Sequence, residues 1–206
     1  KYADISLVTN KSYFEYYPGL YRVVTGASPI EVAIPLSDLI PSEVSICIDN
    51  ILSIDTEKKN IFTESDGPID YDICILAIGS ETAYYNIPGI ADLSYGFRSI
   101  GEAIKLKNHI VSLFDKHLHP NKQEEISHFH IVIVGGGATG VEVAGDINLF
   151  MRELSEINKV DPSFITIDLV HGGNRLVPQL TPKASQYVED RIRELAINIY
   201  LNRTLI

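Results

Sequence analysis

The chain has 206 residues, with 17 basic and 27 acidic side chains, a formal net charge of −10 and 45% hydrophobic residues. That is a globular composition with material for one large or two small cores. The acidic balance argues against a nucleic-acid partner, which would want a basic patch. No apolar run approaches the ~18 residues of a membrane-spanning helix, and no signal-peptide pattern stands at the start.

In chain order, residues 5–8 predict a short strand, bounded by Thr9, Asn10, Lys11 and Ser12. Tyr13, Phe14, Tyr16, Tyr17 and Tyr21 cluster after it, and such aromatics belong by default in a core or a domain contact. Residues 26–29 signal a loop, and a short helix is expected around 35–39. From Val44 the apolar period is two: Val44, Ile46 and Ile48 alternate with Ser45, Cys47 and Asp49, and the strand region continues through Asp55. Turns at 58–60 and 66–68 flank a second strand at 61–63. A third, apolar on both faces at its end, is expected at 71–79. This reads as an antiparallel meander feeding a buried strand. Cys47 and Cys74 sit far apart in apolar runs, which predicts buried inert thiols, no redox disulfide and a reducing compartment.

Residues 100–118 carry the clearest helical period, with Ala103, Leu106, Ile110, Leu113 and Phe114 on one face. Ser99 and Glu102 form a capping-box pattern at its start. The polar stretch that follows predicts a linker at 120–127. His117, His119, His128 and His130 match no metal-ligand spacing and read as solvated, so no metal is expected.

Ile131, Val132, Ile133 and Val134 read as a buried parallel strand that runs into Gly135, Gly136 and Gly137, then Ala138, Thr139 and Gly140. Gly135, Gly137 and Gly140 stand at G-x-G-x-x-G spacing between strand and helix, the context that makes this pattern a dinucleotide fingerprint. Gly135 suits the tight turn, Gly137 lets the backbone approach a pyrophosphate, and Gly140 lets helix and strand pack closely. The helix start offers unpaired N–H groups and a positive dipole end. The helix is expected to run from 138 to about 157, broken at Val160, Asp161 and Pro162. A strand at 164–170, an exit loop at 171–174, a helix at 182–195 and a strand from 197 complete a β-α-β-α-β half.

With these residues in place, the chain resembles the two-dinucleotide-binding-domain flavoproteins of the pyridine nucleotide-disulfide oxidoreductase superfamily, and within them the type II NADH dehydrogenase branch. The resemblance is carried by residues 17–26 (YPGLYRVVTG), by 71–80 (YDICILAIGS), by Phe97, Arg98, Ser99 and Ile100 leading into Glu102 and Ala103, and by 140–145 (GVEVAG). The long helix before Asp161 and Pro162, followed by Arg175, Leu176, Val177 and Pro178, favours this branch.

The resemblance implies an α/β fold of two Rossmann-like units. Residues 1–119 would be a partial FAD-binding domain with an antiparallel meander and the connecting helix, lacking its first strand and Gly-rich loop. Residues 128–206 would be an NAD(P)H-binding domain, a truncated doubly wound parallel sheet. The chain thus reads as a fragment, expected to be inactive alone and not to hold FAD tightly. The implied activity of the whole protein is hydride transfer from NAD(P)H to FAD, with electrons passing to a quinone or other small acceptor. The implied location is cytoplasmic, with membrane contact at the inner face left to segments absent here and a homodimer left open. Alternatives are an apoptosis-inducing-factor-like NAD(P)H oxidase, a sulfide:quinone reductase, or a degenerate NAD(P)H-binding module without catalysis.

Carried onto this sequence, Glu142 is the catalytic candidate near the nicotinamide. Its bland alternative is a solvated carboxylate favoured by the helix dipole. Gly135, Gly136, Gly137, Ala138, Thr139, Gly140, Glu142, His171 and Arg175 would contact the nicotinamide dinucleotide, and Thr9, Ala77, Ile78 and Gly79 the flavin. Three positions depart from the family. Thr9 and His171 stand where ribose-binding acids are usual, and Ile78 where Thr is usual. A carboxylate at 171 would bind a ribose 2′-OH and repel a 2′-phosphate. His171, with Arg175 four residues later, removes that repulsion and predicts relaxed or NADPH-leaning coenzyme use.

Overall fold

A computed structural model describes residues 3–65, 67–118 and 128–204. The expected linker at 120–127, His119, and Asp66 of the second expected turn lie outside the described residues. The elements begin with β1 (Ile5–Thr9), β2 (Tyr13–Glu15), α1 (Leu20–Val24), β3 (Ala33–Pro35), α2 (Leu36–Leu39), β4 (Val44–Ile48) and β5 (Ile51–Asp55). They continue with β6 (Asn60–Thr63), β7 (Ile69–Asp70), α3 (Ile90–Leu93) and α4 (Ile100–Leu118). The last five are β8 (Phe129–Val134), α5 (Ala138–Asn158), β9 (Ile165–Val170), α6 (Pro182–Glu194) and β10 (Asn198–Tyr200). They form two compact units, one of Lys1–Tyr16 with Pro29–Glu81, the other of Tyr17–Ser28 with Thr82–Ile206.

In the first unit β1 pairs in parallel with β4, from Ile5 opposite Val44 to Thr9 opposite Ile48. β2 and β3 form a short antiparallel pair, and β5, β6 and β7 an antiparallel meander. The period-two run from Val44 is therefore two strands in two sheets. Asp49 is the cause: its buried carboxylate accepts the backbone N–H groups of Asn50 and Ser65, each at 2.8 Å. That breaks the run and pins the far end of β6 to the corner. Asp55 caps the next turn by accepting the Glu57 and Lys58 amides, which hold its carboxyl below its ordinary range.

Three expectations need correction here. The third meander strand is Ile69–Asp70, and residues 71–79 form no strand. Asp70 lies opposite Asn60, the first residue of β6, so the ladder runs out at the turn and ends with Tyr71 N–H on the Lys59 carbonyl at 3.0 Å. Past that point Ile73, Ile75 and Ile78 are all more than 80% exposed. The aromatic cluster is not core either. Phe14, Tyr16 and Tyr17 are exposed, and the buried residues of that region are Leu20, Val23 and Val24 on α1. Nor are the thiols fully buried: both cysteines are outside any disulfide and half-buried.

The second unit carries the larger core. Leu20, Val23 and Val24 of α1 are buried, as are Ala103, Ile110 and Phe114 of α4 and Val143, Ala144, Ile147, Phe150 and Met151 of α5. Phe114 stacks on Phe129, the first residue of β8, with ring centroids 4.5 Å apart. The Ser99 hydroxyl accepts the Glu102 N–H at 3.1 Å, while the Glu102 carboxylate reaches back to the Arg98 N–H at 2.5 Å, so the cap closes one residue earlier than a simple capping box. The sheet is parallel throughout, in the order β10-β9-β8. Among the described residues β8 pairs on one side only, so it is not the fully buried strand expected, and Val132 and Val134 are about half exposed. α5 ends at Lys159 in the left-handed conformation, and Asp161 caps the following turn through the Ser163 N–H at 2.9 Å. Among the described residues, no helix is long and apolar enough to cross a membrane.

Candidate dinucleotide site

The turn from β8 into α5 brings together the residues singled out at 135–140. Gly135 has φ +115°, a backbone only glycine adopts freely, and its N–H continues the ladder to the Val170 carbonyl at 2.8 Å. At Gly140 a Cβ would land inside the carbonyl oxygen of Gly135, so this position tolerates no side chain. At Gly137, the N-cap of α5, a Cβ would meet nothing within 4 Å, and no side chain caps the helix. The first helical bond runs from Val141 N–H to Gly137 O at 3.1 Å. The N–H groups of exposed Ala138 and Thr139 and of Gly140 precede this first helical bond, as at any helix start. The tight turn, the open face and the close helix–strand contact are what a pyrophosphate cradle requires, so these residues fit a dinucleotide.

Gly136 is locked from the other side by the loop after β9. Its N–H donates to Nδ1 of His171 at 3.2 Å, and its carbonyl accepts the Val177 N–H at 2.7 Å. Its Cα lies so close to Leu176 and to the imidazole that a Cβ would stand 2.5 Å from Leu176 Cδ2 and 2.8 Å from His171 Cγ. Because Nδ1 accepts, an uncharged ring carries its proton on Nε2, and Nε2 is buried with no hydrogen-bond partner among the described residues. Arg175 folds back on its own loop, Nη2 donating to the Pro178 carbonyl at 2.6 Å.

Sequence reasoning missed the residues that hold this loop. Buried Glu189 on α6 accepts the Leu176 N–H at 3.2 Å and is paired with Arg193 at 3.4 Å. Ser185, also on α6, donates to the Val177 carbonyl at 3.3 Å. The signal was there: Ser185, Glu189 and Ile192 share the inward stripe of α6, and a carboxylate on such a stripe needs a buried donor. Val177 itself sits at φ +41°, a costly backbone for a β-branched residue, held by bonds at both its N–H and its carbonyl.

Glu142 lies exposed in the second turn of α5, with Asp146 one turn further on. Asp146 is held above its ordinary carboxylate range, first by partial burial and then by the charge of Glu142. That pair was legible as an i, i+4 spacing and was not singled out. The residues expected on the flavin side are in the first unit. Thr9 ends β1, its hydroxyl accepting the Lys11 N–H at 3.4 Å, while Ala77, Ile78 and Gly79 lie in the exposed run after β7. Of the remaining histidines, His130 bonds Asp168 at 2.8 Å and His109 packs its ring on Tyr95.

Comparison with known proteins agrees with this architecture. The profile of the pyridine nucleotide-disulphide oxidoreductase family matches residues 1–205, and the chain belongs to that family. The structure of NDH2 from Plasmodium falciparum in complex with NADH superimposes with a TM-score of 0.87 at 26% identity, over 97% of this chain and 43% of that one. The type II NADH:quinone oxidoreductase Ndh of Mycobacterium tuberculosis is 27% identical over 213 residues, 96% of this chain and 45% of its own length. The external alternative NAD(P)H-ubiquinone oxidoreductase B1 of potato mitochondria (Solanum tuberosum) is 24% identical over 95% of this chain and 37% of its own. The chain therefore spans about two fifths of the length of these relatives.

Proposed function

We propose that the chain is the NAD(P)H-binding part of an FAD-dependent oxidoreductase that passes electrons from NAD(P)H to a quinone-type acceptor. The observation that carries this reading is the uncapped, open turn at Gly137, set at the carboxyl ends of β8 and β9 where open α/β sheets bind their ligands. The likeness to NDH2 and to the mycobacterial and potato enzymes supports it.

Bound NAD(P)H and FAD would supply the hydride donor and acceptor, and that chemistry belongs to them. This chain's own residues bind and orient. The N–H groups of Ala138, Thr139 and Gly140 and the dipole of the 21-residue helix α5 would hold the pyrophosphate. His171 and Arg175 would face the adenosine ribose at the end of β9. Glu142, exposed on the same helix beyond the loop, would stand on the nicotinamide side and set the polarity there. FAD is proposed from the family to which the chain belongs.

The test is the visible spectrum of the protein expressed from its full reading frame. A yellow protein whose flavin band bleaches anaerobically on adding NAD(P)H is the expected result. A colourless protein that still binds NAD(P)H would replace this reading with that of a non-catalytic nucleotide-binding module.

A further inference from the structure

The loop after β9 is tied to α6 on one side and to the Gly-rich turn on the other. On the α6 side, the buried Glu189 carboxylate accepts the Leu176 N–H at 3.2 Å, and the Ser185 hydroxyl donates to the Val177 carbonyl at 3.3 Å. On the turn side, the Val177 N–H donates to the Gly136 carbonyl at 2.7 Å, and the fully buried Leu176 packs against Gly136. Val177 joins the two sides at φ +41°, a left-handed backbone that a β-branched residue keeps only when its surroundings hold it there. Burying the Glu189 carboxylate costs desolvation, which its charge-assisted bond to the Leu176 N–H offsets. Arg193, paired with Glu189 at 3.4 Å, is half exposed and also reaches Asp190 at 3.8 Å.

We propose that Glu189 and Ser185 of α6 are positioning residues for dinucleotide binding: acting through Leu176 and Val177, they fix the peptide between Gly136 and Gly137 so that its N–H is presented to the pyrophosphate. The inference rests on the dinucleotide reading of the Gly-rich turn. Its physical basis is the planarity of one peptide group. No peptide bond among the described residues is cis, so the Gly137 N–H points opposite to the Gly136 carbonyl. With that carbonyl drawn to the Val177 N–H, the Gly137 N–H is turned away from the loop. Gly137 is also the glycine whose backbone approaches the pyrophosphate in this spacing. A peptide with glycine on both sides rotates at little steric cost, and the rotated plane would set a carbonyl lone pair against the phosphate. Glycines have no side chains to prevent this, so the hold comes from outside the turn. Val177 is where it can fail, because relaxing its φ would carry its N–H off the Gly136 carbonyl. Glu189 bonds the peptide before Val177 and Ser185 the peptide after it, and together they keep Val177 left-handed. A cradle already set when the ligand arrives binds more tightly than one the ligand must set, in proportion to the fraction of molecules in the competent form.

The experiment is calorimetric titration of the protein expressed from its full reading frame with ADP-ribose, which carries the pyrophosphate and needs neither flavin nor turnover. Glu189→Ala should weaken binding about tenfold or more, as the competent fraction falls. Glu189→Gln keeps an oxygen for the Leu176 N–H and should stay within about threefold of the parent. Ser185→Ala, a smaller cut, should weaken binding about threefold or more. The decisive background is Val177→Gly, because glycine adopts this backbone freely. There Glu189→Ala and Ser185→Ala should each change affinity by less than about threefold, since no left-handed strain is left to hold. A merely structural role predicts the same loss in both backgrounds, and that result overturns the proposal. So does a Glu189→Gln loss as large as that of Glu189→Ala, or parent-like affinity in both alanine variants, and in each case the dinucleotide site stands. If Glu189→Ala does not fold, Ser185→Ala with and without Val177→Gly decides by the same criterion. A parent protein that does not bind ADP-ribose overturns the dinucleotide reading and this inference with it.

Discussion

Two apolar runs of this chain look alike on paper and end differently in space. Residues 71–79 and residues 129–134 are both rich in isoleucine and other apolar residues, both run into glycine, and both read as buried strands. The second pairs with β9 at six consecutive positions and sets the Gly-rich turn. The first pairs with no strand among the described residues and leaves Ile73 and Ile75 about 85% exposed. Composition does not separate them. What separates them is a partner backbone: the helix α5 returns β9 alongside β8, whereas β7 runs past the end of β6 at Asn60 and meets only a turn. A strand is a property of two segments, because its N–H and C=O groups must find another chain segment or water.

The largest expected effect breaks this comparison at its glycines. Gly140→Ala puts a methyl group into the Gly135 carbonyl, so the turn must reopen or the helix must shift. The expected loss is about 3 kcal/mol or more, at or above the top of the range for overpacking, with loss of ADP-ribose binding. Gly79→Ala has open space around it and strains only a φ of +75°, worth about 1–2 kcal/mol at most. Urea midpoints of the two variants measure the difference, and equal midpoints would show that the turn is softer than its geometry.

Next come the apolar side chains themselves. Leu169→Ala, at a position of β9 with no exposure, should cost about 2–5 kcal/mol. Ile75→Ala, at 86% exposure, should change stability by no more than about 0.5 kcal/mol. Amide exchange sharpens the same contrast without mutation: β8 amides should be protected and those of 73–78 should exchange at nearly the unstructured rate. Protection of 73–78 would mean that this run has found a partner strand.

Much of the second unit was legible because its signals are local. The G-x-G-x-x-G spacing, the apolar stripe of α5 and the Ser99–Glu102 cap each specify their own few residues, although the Glu102 arm of the cap closes on Arg98. Removing that cap by Ser99→Ala should cost about 1 kcal/mol, read as a shift in thermal midpoint. What stayed hidden depends on distant segments. The split at Asp49 needs Ser65, and the lock on Gly136 needs Glu189 and Ser185 of α6. The burial of α1 among α4 and α5, in preference to the aromatics around it, was hidden for the same reason. Propensity says which residues can be inside; only the packing partner says which ones are.

The smallest effect concerns charge on the site's own helix. Asp146 is held above the ordinary aspartate value of 3.8, mainly by burial and secondarily by Glu142 four residues earlier. A raised folded-state value means that the folded chain binds this proton more tightly than the unfolded one. Its contribution to stability is therefore full on the acid side of the ordinary range and is lost as pH rises through the raised value. Asp146→Asn removes that loss. Relative to the parent protein, the variant should gain thermal stability at neutral pH and show no gain below the ordinary aspartate range. Glu142→Gln should act in the same direction by a smaller amount, because its charge is the lesser of the two causes. Melting curves between acid and neutral pH test both. A Glu142→Gln gain larger than that of Asp146→Asn would show that repulsion along α5, and not burial, sets the proton affinity of this face.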